Sequence, residues 1–184
     1  VSAMFSSPDL QKFDLLCNTE FIKQVMASCE LIEPRLAMRA KKIFKQMDTG
    51  IKPEFMEVFG HTLSNDNSLY EMEHLKNKDV FAMTQNLADI SGFYKAFGLQ
   101  VDPGERADHL AVEAEFLGFI LLKEALAVQN GETENAETCR EAAYAFWNDH
   151  FSYWIPFLIS SILRRVNYAF YFQATQFLDC FVAS

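Results

Sequence analysis

Two stretches of this 184-residue sequence carry carboxylates and histidines at spacings that could do chemistry. The first is Glu71-x-x-His74, in which one helical turn would bring both side chains to the same face, where they could bind a metal ion. A carboxylate-bridged di-iron bundle uses that motif twice and needs two further glutamates, whereas the motif occurs once here. The surrounding residues are also more typical of a loop than of a long helix. We therefore predict no metal ion at this position.

The second stretch is Asp108-His109, followed one turn later by Glu113. Asp108 would begin a helix and accept backbone N–H groups, and His109 could touch Glu113. Two interpretations remain open at this point. One is a capped helix with a His–Glu pair on its surface, and the other is a polar binding point at the turn between two helical parts.

Motifs that would indicate an enzyme are missing from the sequence. There is no His-Glu-x-x-His zinc motif and no glycine-rich phosphate loop. The Gly-x-Ser-x-Gly elbow of a serine hydrolase is also absent. We predict no catalytic residue and no cofactor, although a small metal-dependent enzyme built on the same helices is an alternative of a different class.

Composition and periodicity together predict an all-α fold of about eight helices. Half of the residues are apolar, 18 of them phenylalanine, while glycine and proline number only seven and five. Scarce turn residues argue against a β fold, and apolar side chains recur at helical spacing. The predicted helices cover approximately residues 8–26, 34–47, 53–59, 79–97, 109–128, 133–147, 156–165 and 168–182.

The turn signal Val101-Asp102-Pro103-Gly104 is the best candidate for a boundary within the chain. It predicts a boundary near residues 99–108, between an N-terminal helical part at residues 1–98 and a C-terminal helical part at 109–184. An extended connector of this kind also allows two chains to exchange segments. We therefore expect either a monomer or a domain-swapped homodimer.

Charge is unevenly distributed along the chain, whose net charge is −9. Residues 79–184 carry fourteen acidic and six basic side chains, whereas residues 1–78 are close to neutral. An acidic half repels phosphates and so argues against nucleic acid as a partner. It favours a basic partner, and the alternative is a charge that only keeps the protein in solution.

The longest apolar runs and the cysteines bear on location. Phe116–Leu122 and Trp154–Leu163 are shorter than the roughly 20 residues that span a bilayer. No secretory signal is visible. The four cysteines are scattered, without a Cys-x-x-Cys pair. We expect a cytoplasmic protein that does not span the membrane.

The last forty residues are rich in aromatic side chains, and Tyr168–Phe172 would place them around much of one helix. Most of these rings should form the core. A helix that is apolar on several sides is either fully buried or meets a second surface. An apolar groove for a peptide, or a subunit interface, would provide that surface.

Several of these segments together resemble the TorD/DmsD chaperones of molybdenum-containing reductases, over roughly residues 53–184. The resemblance rests on the order and spacing of the following stretches: Glu54–Phe59 with Tyr70-Glu71-x-Glu73, Gln85–Gly98, Asp108-His109-Leu110 with Glu113–Phe116, and more weakly Asp149-His150-Phe151 with Trp154. The sequence departs from the family pattern at Ser68-Leu69, where the family often has two prolines. It departs again at His74, where a tyrosine is usual.

The resemblance implies a TorD-like helical fold whose two helical parts are joined by a hinge at residues 99–108. It also implies a chaperone that binds the twin-arginine leader of a molybdoenzyme catalytic subunit. The chaperone would hold that subunit until its cofactor is inserted, before export. The leader-binding positions that carry over from the family are Phe59, Tyr70, Asp108 and His109.

Physical reasoning adds further candidates for the same leader. A leader arginine could pair in a forked way with Asp108, Glu113 or Glu71. Apolar residues, among them Phe116 and Trp154, would hold the hydrophobic part of the leader. The alternative is an assembly factor of the nitrate-reductase delta type, which binds the catalytic subunit without reading a leader.

Overall fold

The computed structural model describes residues 1–9, 11–47, 50–60, 67–76, 79–165 and 169–184. Within these ranges every regular element is a helix, and no strand is present. One isolated bridge pairs Tyr70 with His109. The predicted fold class is confirmed, and eight of the helices in these ranges are nine residues or longer. Tyr168, which begins the predicted aromatic run, lies outside the described residues.

The helices follow one another with short connections. Their bounds are α1 Ser2–Phe5, α2 Gln11–Asp14, α3 Thr19–Ile32, α4 Pro34–Phe44, α5 Ile51–Phe59, α6 Val80–Ala96, α7 Leu110–Asn130, α8 Thr133–Phe146, α9 Ile155–Arg165 and α10 Ala169–Val182. Single 3-10 turns occur at Leu15–Cys17 and Glu71–His74, and a π-helical turn follows α8 at Trp147–Phe151.

Local capping explains where the structure agrees with the predicted boundaries and where it differs. Asp79 caps α6 by accepting the Ala82 N–H, and Gly131 ends α7 in the left-handed conformation that glycine favours. The single helix predicted over residues 8–26 is wrong, because Asn18 caps a new helix by accepting the Phe21 N–H. The predicted cap of α7 is also wrong, since His109 and not Asp108 fills that position.

The chain divides into two compact units. The first consists essentially of residues 3–69 with 156–184, and the second consists essentially of residues 70–155. The unit boundaries therefore fall at Leu69 and Ile155, while the predicted hinge at 99–108 lies within the second unit. Exchange of segments at residues 99–108 stays a prediction.

Aromatic rings and a hydrogen bond at a helix end hold the first unit together. The Phe59 ring packs against Phe5 and Tyr171, with ring centroids 6.2 and 5.0 Å apart. Glu54 accepts the Tyr171 N–H at 2.7 Å and so satisfies the first turn of α10. These contacts tie α5 to α10 within that unit.

The second unit is built around Phe116 of α7. Its ring meets Tyr94 of α6 and Phe146 at the end of α8, in both cases with centroids 4.7 Å apart. Phe116 is only 3% exposed, so its ring forms part of the core of this unit. This packing fixes the face of α7 that carries Glu113.

The described residues contain no helix that combines the length and the apolar character needed to cross a bilayer. Within the same ranges, no group of three or more histidine, cysteine, aspartate or glutamate side chains is arranged to hold a metal ion. All four cysteines are free thiols.

Candidate functional site

Four polar residues of the second unit that would normally face water are buried. Glu71, Asp108 and Glu113 are 0% exposed and His150 is 2% exposed. Burial of an ionised group is unfavourable unless partners compensate it. The partners of each residue therefore decide what the cluster can do.

The buried carboxylate of Asp108 pairs with an arginine that lies two residues before it in sequence. Arg106 Nε and Nη2 donate to the two carboxylate oxygens of Asp108 at 3.0 and 2.7 Å, in the forked geometry that suits a guanidinium. From the other side, the Met72 N–H donates to Asp108 Oδ2 at 3.2 Å, and the Glu71 N–H donates to the Asp108 carbonyl.

Tyr70 and His109 complete this part of the site. The guanidinium of Arg106 lies 4.3 Å from the centroid of the Tyr70 ring, within the range of a cation–π contact. Tyr70 also meets the His109 ring edge to face, with centroids 5.0 Å apart. His109 Nδ1 accepts the Ala111 N–H at 3.1 Å, which requires Nδ1 to be unprotonated.

Glu71 joins the 3-10 turn to the π-helical turn. Tyr153 donates its hydroxyl proton to Glu71 Oε1 at 2.6 Å, and His150 Nδ1 lies 3.4 Å from the same oxygen. The other nitrogen of His150 is 3.1 Å from Asp89 Oδ2. Burial lowers the pKa of His150, but the two carboxylates outweigh it and leave the pKa above its usual value. The imidazolium form of His150 is thereby favoured.

Glu113 provides the remaining contacts of the cluster. Trp154 Nε1 donates to Glu113 Oε2 at 3.2 Å, and the nearby Glu71 carboxyl acts on Glu113 electrostatically. Burial, followed by the charge of Glu71, raises the pKa of Glu113 well above its usual value. The neutral form of Glu113 is thereby favoured.

One oxygen of each buried glutamate has no hydrogen-bond partner. These oxygens are Glu71 Oε2 and Glu113 Oε1, among the residues that the structure describes. Because burial and the charge of Glu71 raise the pKa of Glu113, its neutral form is favoured, and a protonated carboxyl can donate a hydrogen bond. The other ionisable groups of the cluster contact groups of opposite sign, Asp108 through Arg106, and His150 through Glu71 and Asp89.

The structure brings together most of the residues singled out from sequence, at two levels of exposure. Tyr70 and His109 are half-buried around Arg106 and Asp108, and Glu71, Glu113, Phe116 and Trp154 are buried behind them. The surface His–Glu pair considered for Glu113 is wrong, because Glu113 has no exposed surface. Phe59 belongs to the first unit. Direct contact of any of these residues with a leader stays a prediction.

Sequence reasoning missed three members of the site. No pattern singled out Arg106, Tyr153 was only one of the many aromatic residues near the end of the chain, and His150 belonged only to the weaker part of the family resemblance. The sequence did contain a signal for Arg106, since an arginine two residues from Asp108 in a turn can reach its carboxylate. His150 and Tyr153 are placed by the π-helical turn, for which no sequence signal was available.

Comparison with known proteins settles the family. The family model described as "Nitrate reductase delta subunit" matches residues 29–160, well over half of the chain. The chain belongs to the nitrate reductase delta subunit family. The match includes every residue of the buried polar cluster, and it extends the resemblance back from residue 53 into α3.

Relatives of this delta-family chain carry chaperone names. It is 36% identical over 91 residues to the selenate reductase assembly chaperone protein of Thauera selenatis, covering 48% of this chain and 45% of the relative. It is 35% identical over 77 residues to the chaperone protein TorD of Photobacterium profundum, covering 42% and 34%. A perchlorate reductase assembly chaperone protein of Dechloromonas aromatica is 27% identical over 117 residues, covering 62% and 50%.

These matches confirm the predicted kinship with TorD/DmsD-type chaperones. They also span no more than half the length of the relatives, between 34% and 50%. The names of the relatives describe those proteins, so the partner of this chain has to be argued from its own site.

Proposed function

We propose that this chain is an assembly chaperone for the catalytic subunit of a molybdenum-containing oxidoreductase, and that it reads the twin-arginine leader of that subunit at Asp108. It holds the subunit in the cytoplasm until the cofactor is inserted, and then releases it for export. The chain itself catalyses no reaction and carries no cofactor of its own.

One observation carries the leader-reading part of this proposal. The buried carboxylate of Asp108 holds a guanidinium by two hydrogen bonds, with the Tyr70 ring within cation–π distance of that guanidinium. This combination of a carboxylate and an aromatic ring recognises arginine and discriminates against lysine, which has no planar fork. A twin-arginine leader presents two such groups.

The acidic character of the same part of the chain supports a basic partner. Residues 79–184 carry eight more acidic than basic side chains. Complementary charge of this kind increases the rate at which a basic segment associates. The assembly-chaperone names of the relatives support a reductase subunit as the larger partner.

A second candidate function is favoured by the family model itself, whose description is that of a nitrate reductase delta subunit. In that case the chain binds the mature part of the catalytic subunit and requires no leader. Asp108 and Arg106 then serve only to hold the second unit together.

Co-purification separates the two candidates. The chain is co-expressed with the catalytic subunit of a molybdenum-containing oxidoreductase from the same organism, in three forms: with its leader, with the leader arginines changed to lysine, and without the leader. Leader reading predicts strong capture of the first form and weak capture of the other two. Equal capture of all three supports the delta-type assembly factor, and capture of none contradicts both.

A matched pair of variants tests the role of Asp108 in the same assay. Asp108→Asn removes the buried charge and should reduce capture of the leader-bearing subunit about tenfold or more. Asp102→Asn removes one charge from an exposed position of the same connector and should leave capture unchanged. Equal loss in both variants would contradict a specific role for Asp108.

A further inference from the structure

The pair formed by Arg106 and Asp108 is asymmetric in its exposure. The Asp108 side chain is 0% exposed, whereas the Arg106 side chain is 43% exposed. The acceptor is held from behind by the Met72 N–H, and its own backbone carbonyl is bonded to Glu71. The carboxylate is thus a fixed part of the interior, and the guanidinium reaches it from the surface.

Arg106 can leave this pair without a change in the backbone. Its carbonyl accepts the His109 N–H at 3.2 Å, and the adjacent Ala107 carbonyl accepts the Tyr94 hydroxyl proton at 2.7 Å. These bonds fix the connector on both sides of Asp108. A rotation of the Arg106 side chain towards solvent would open the carboxylate and the Tyr70 ring together.

An open Asp108 would not stay without a cation. A buried carboxylate that loses its partner is strongly destabilised, because neither water nor a second charge compensates it. Exchange of one guanidinium for another avoids that cost, since the two hydrogen bonds and the ring contact are kept. The geometry of the site therefore suits replacement of its arginine by an incoming arginine.

We propose that Arg106 is a built-in stand-in for the ligand, and that an arginine of the partner's leader displaces it from Asp108 and Tyr70. The inference rests on the proposed leader-reading function and adds a regulatory contact to it. In the free chaperone Arg106 occupies the site and keeps the second unit intact. The apparent affinity for the leader is then the intrinsic affinity multiplied by the fraction of molecules in which the site is open. Loose binding of this kind allows the leader to be released.

The test is a titration of the full chain with a twin-arginine leader peptide, using three proteins. Arg106→Gln removes the competing guanidinium and should bind the peptide about tenfold or more tightly than the wild type. Arg140→Gln is the matched control, because it removes the same charge from the same unit, where Arg140 pairs with Glu124 and Glu137 at the surface. The control should bind like the wild type.

The outcomes distinguish this inference from the proposed function. If the wild type binds the peptide and Arg106→Gln binds it no more tightly than Arg140→Gln does, the stand-in role is wrong and leader reading stands. If none of the three proteins binds the peptide, both fail. Binding by Arg106→Gln alone supports the inference, with the wild type fully occupied by its own arginine.

A measurement on the wild type avoids any effect of the substitution on folding. Phenylglyoxal modifies accessible arginines, and mass spectrometry reports the modification of Arg106 separately from that of the peptide. Addition of the twin-arginine peptide should increase the modification rate of Arg106 several-fold, and a twin-lysine peptide should not. An unchanged or slower rate with bound twin-arginine peptide would overturn the proposal.

Discussion

At the scale of single residues, the second unit contains two interacting glutamates in its interior. Glu71 and Glu113 are both fully buried, and burial together with the charge of Glu71 raises the pKa of Glu113 well above its usual value. Glu71 contacts the Tyr153 hydroxyl and His150. The native state therefore retains the Glu113 proton to a higher pH than the unfolded chain does.

This retained proton predicts the direction of the pH dependence. The folded-state pKa of Glu113 is raised, so its contribution to stability is complete at low pH and is lost as pH rises through the folded pKa. Glu113→Gln keeps a donor towards Glu71 and an acceptor for Trp154 without a titrating proton. From about pH 5 upward, the wild type should lose up to about 1.4 kcal/mol of stability per pH unit relative to this variant.

Urea unfolding between pH 5 and pH 8 measures this difference. His150 titrates in both proteins, and its contribution to stability also falls as the pH rises. Its effect therefore cancels in the comparison. Glu141→Gln, at an exposed position of α8, is the control and should follow the wild type. A difference between Glu113→Gln and the wild type that does not change with pH would show that Glu113 is ionised in the native state.

Part of this site could be predicted from sequence and part could not. Asp108, His109 and Tyr70 stood out because their types and order resemble a family pattern. The sequence also singled out Glu113 but did not predict its burial. Glu113 lies on the same helical stripe as Leu110 and Leu117, which are buried. The contacts of Glu71 with His150 and Tyr153 join residues about 80 positions apart, and the pitch of a π-helical turn decides them.

At the scale of helices, α7 is the element that positions the site. Gly131 ends it, His109 caps it, and Phe116 packs it against α6 and α8. The sequence predicted the extent of this helix well because Gly131 is a strong stop signal, although it placed the cap one residue early, at Asp108. The predicted helix over residues 8–26 failed for the opposite reason, since the apolar pattern continues across Asn18 while the backbone does not.

The packing of α7 can be tested at Phe116. Phe116→Ala should reduce the free energy of unfolding by about 3–5 kcal/mol, because it leaves a cavity among Tyr94, Phe146 and α7. Phe81→Ala at the start of α6 is the control, since Phe81 is 78% exposed, and it should change stability by less than about 0.5 kcal/mol. Similar losses in the two variants, measured by urea unfolding, would contradict the assigned core.

At the scale of the whole molecule, the predicted and observed divisions of the chain differ. The turn signal at residues 101–104 suggested a boundary, but the second unit runs from 70 to 155 and contains it. The reason is that hydrogen bonds attach this connector, residues 99–108, to its neighbours. The Tyr94 hydroxyl donates to the Ala107 carbonyl, and the Glu71 N–H donates to the Asp108 carbonyl. A turn in sequence marks a change of direction, and only contacts decide whether it separates two units.

The same contacts give the connector a role in binding. It carries Arg106 and Asp108 at the edge of a buried cluster, in the more acidic part of the chain. Sequence composition indicated a basic partner, and the structure adds a buried carboxylate with the geometry for a guanidinium. The proposed function therefore depends on a direct interaction between Asp108 and an arginine of the partner.

A double-mutant cycle tests this most directly. The full chain and its Asp108→Asn variant are each titrated calorimetrically with a twin-arginine leader peptide and with its twin-lysine counterpart. Direct pairing predicts a coupling free energy of at least about 1.5 kcal/mol, with Asp102→Asn giving none. If the two peptides lose the same binding free energy on Asp108→Asn, Asp108 does not read the leader arginines and the central claim is wrong.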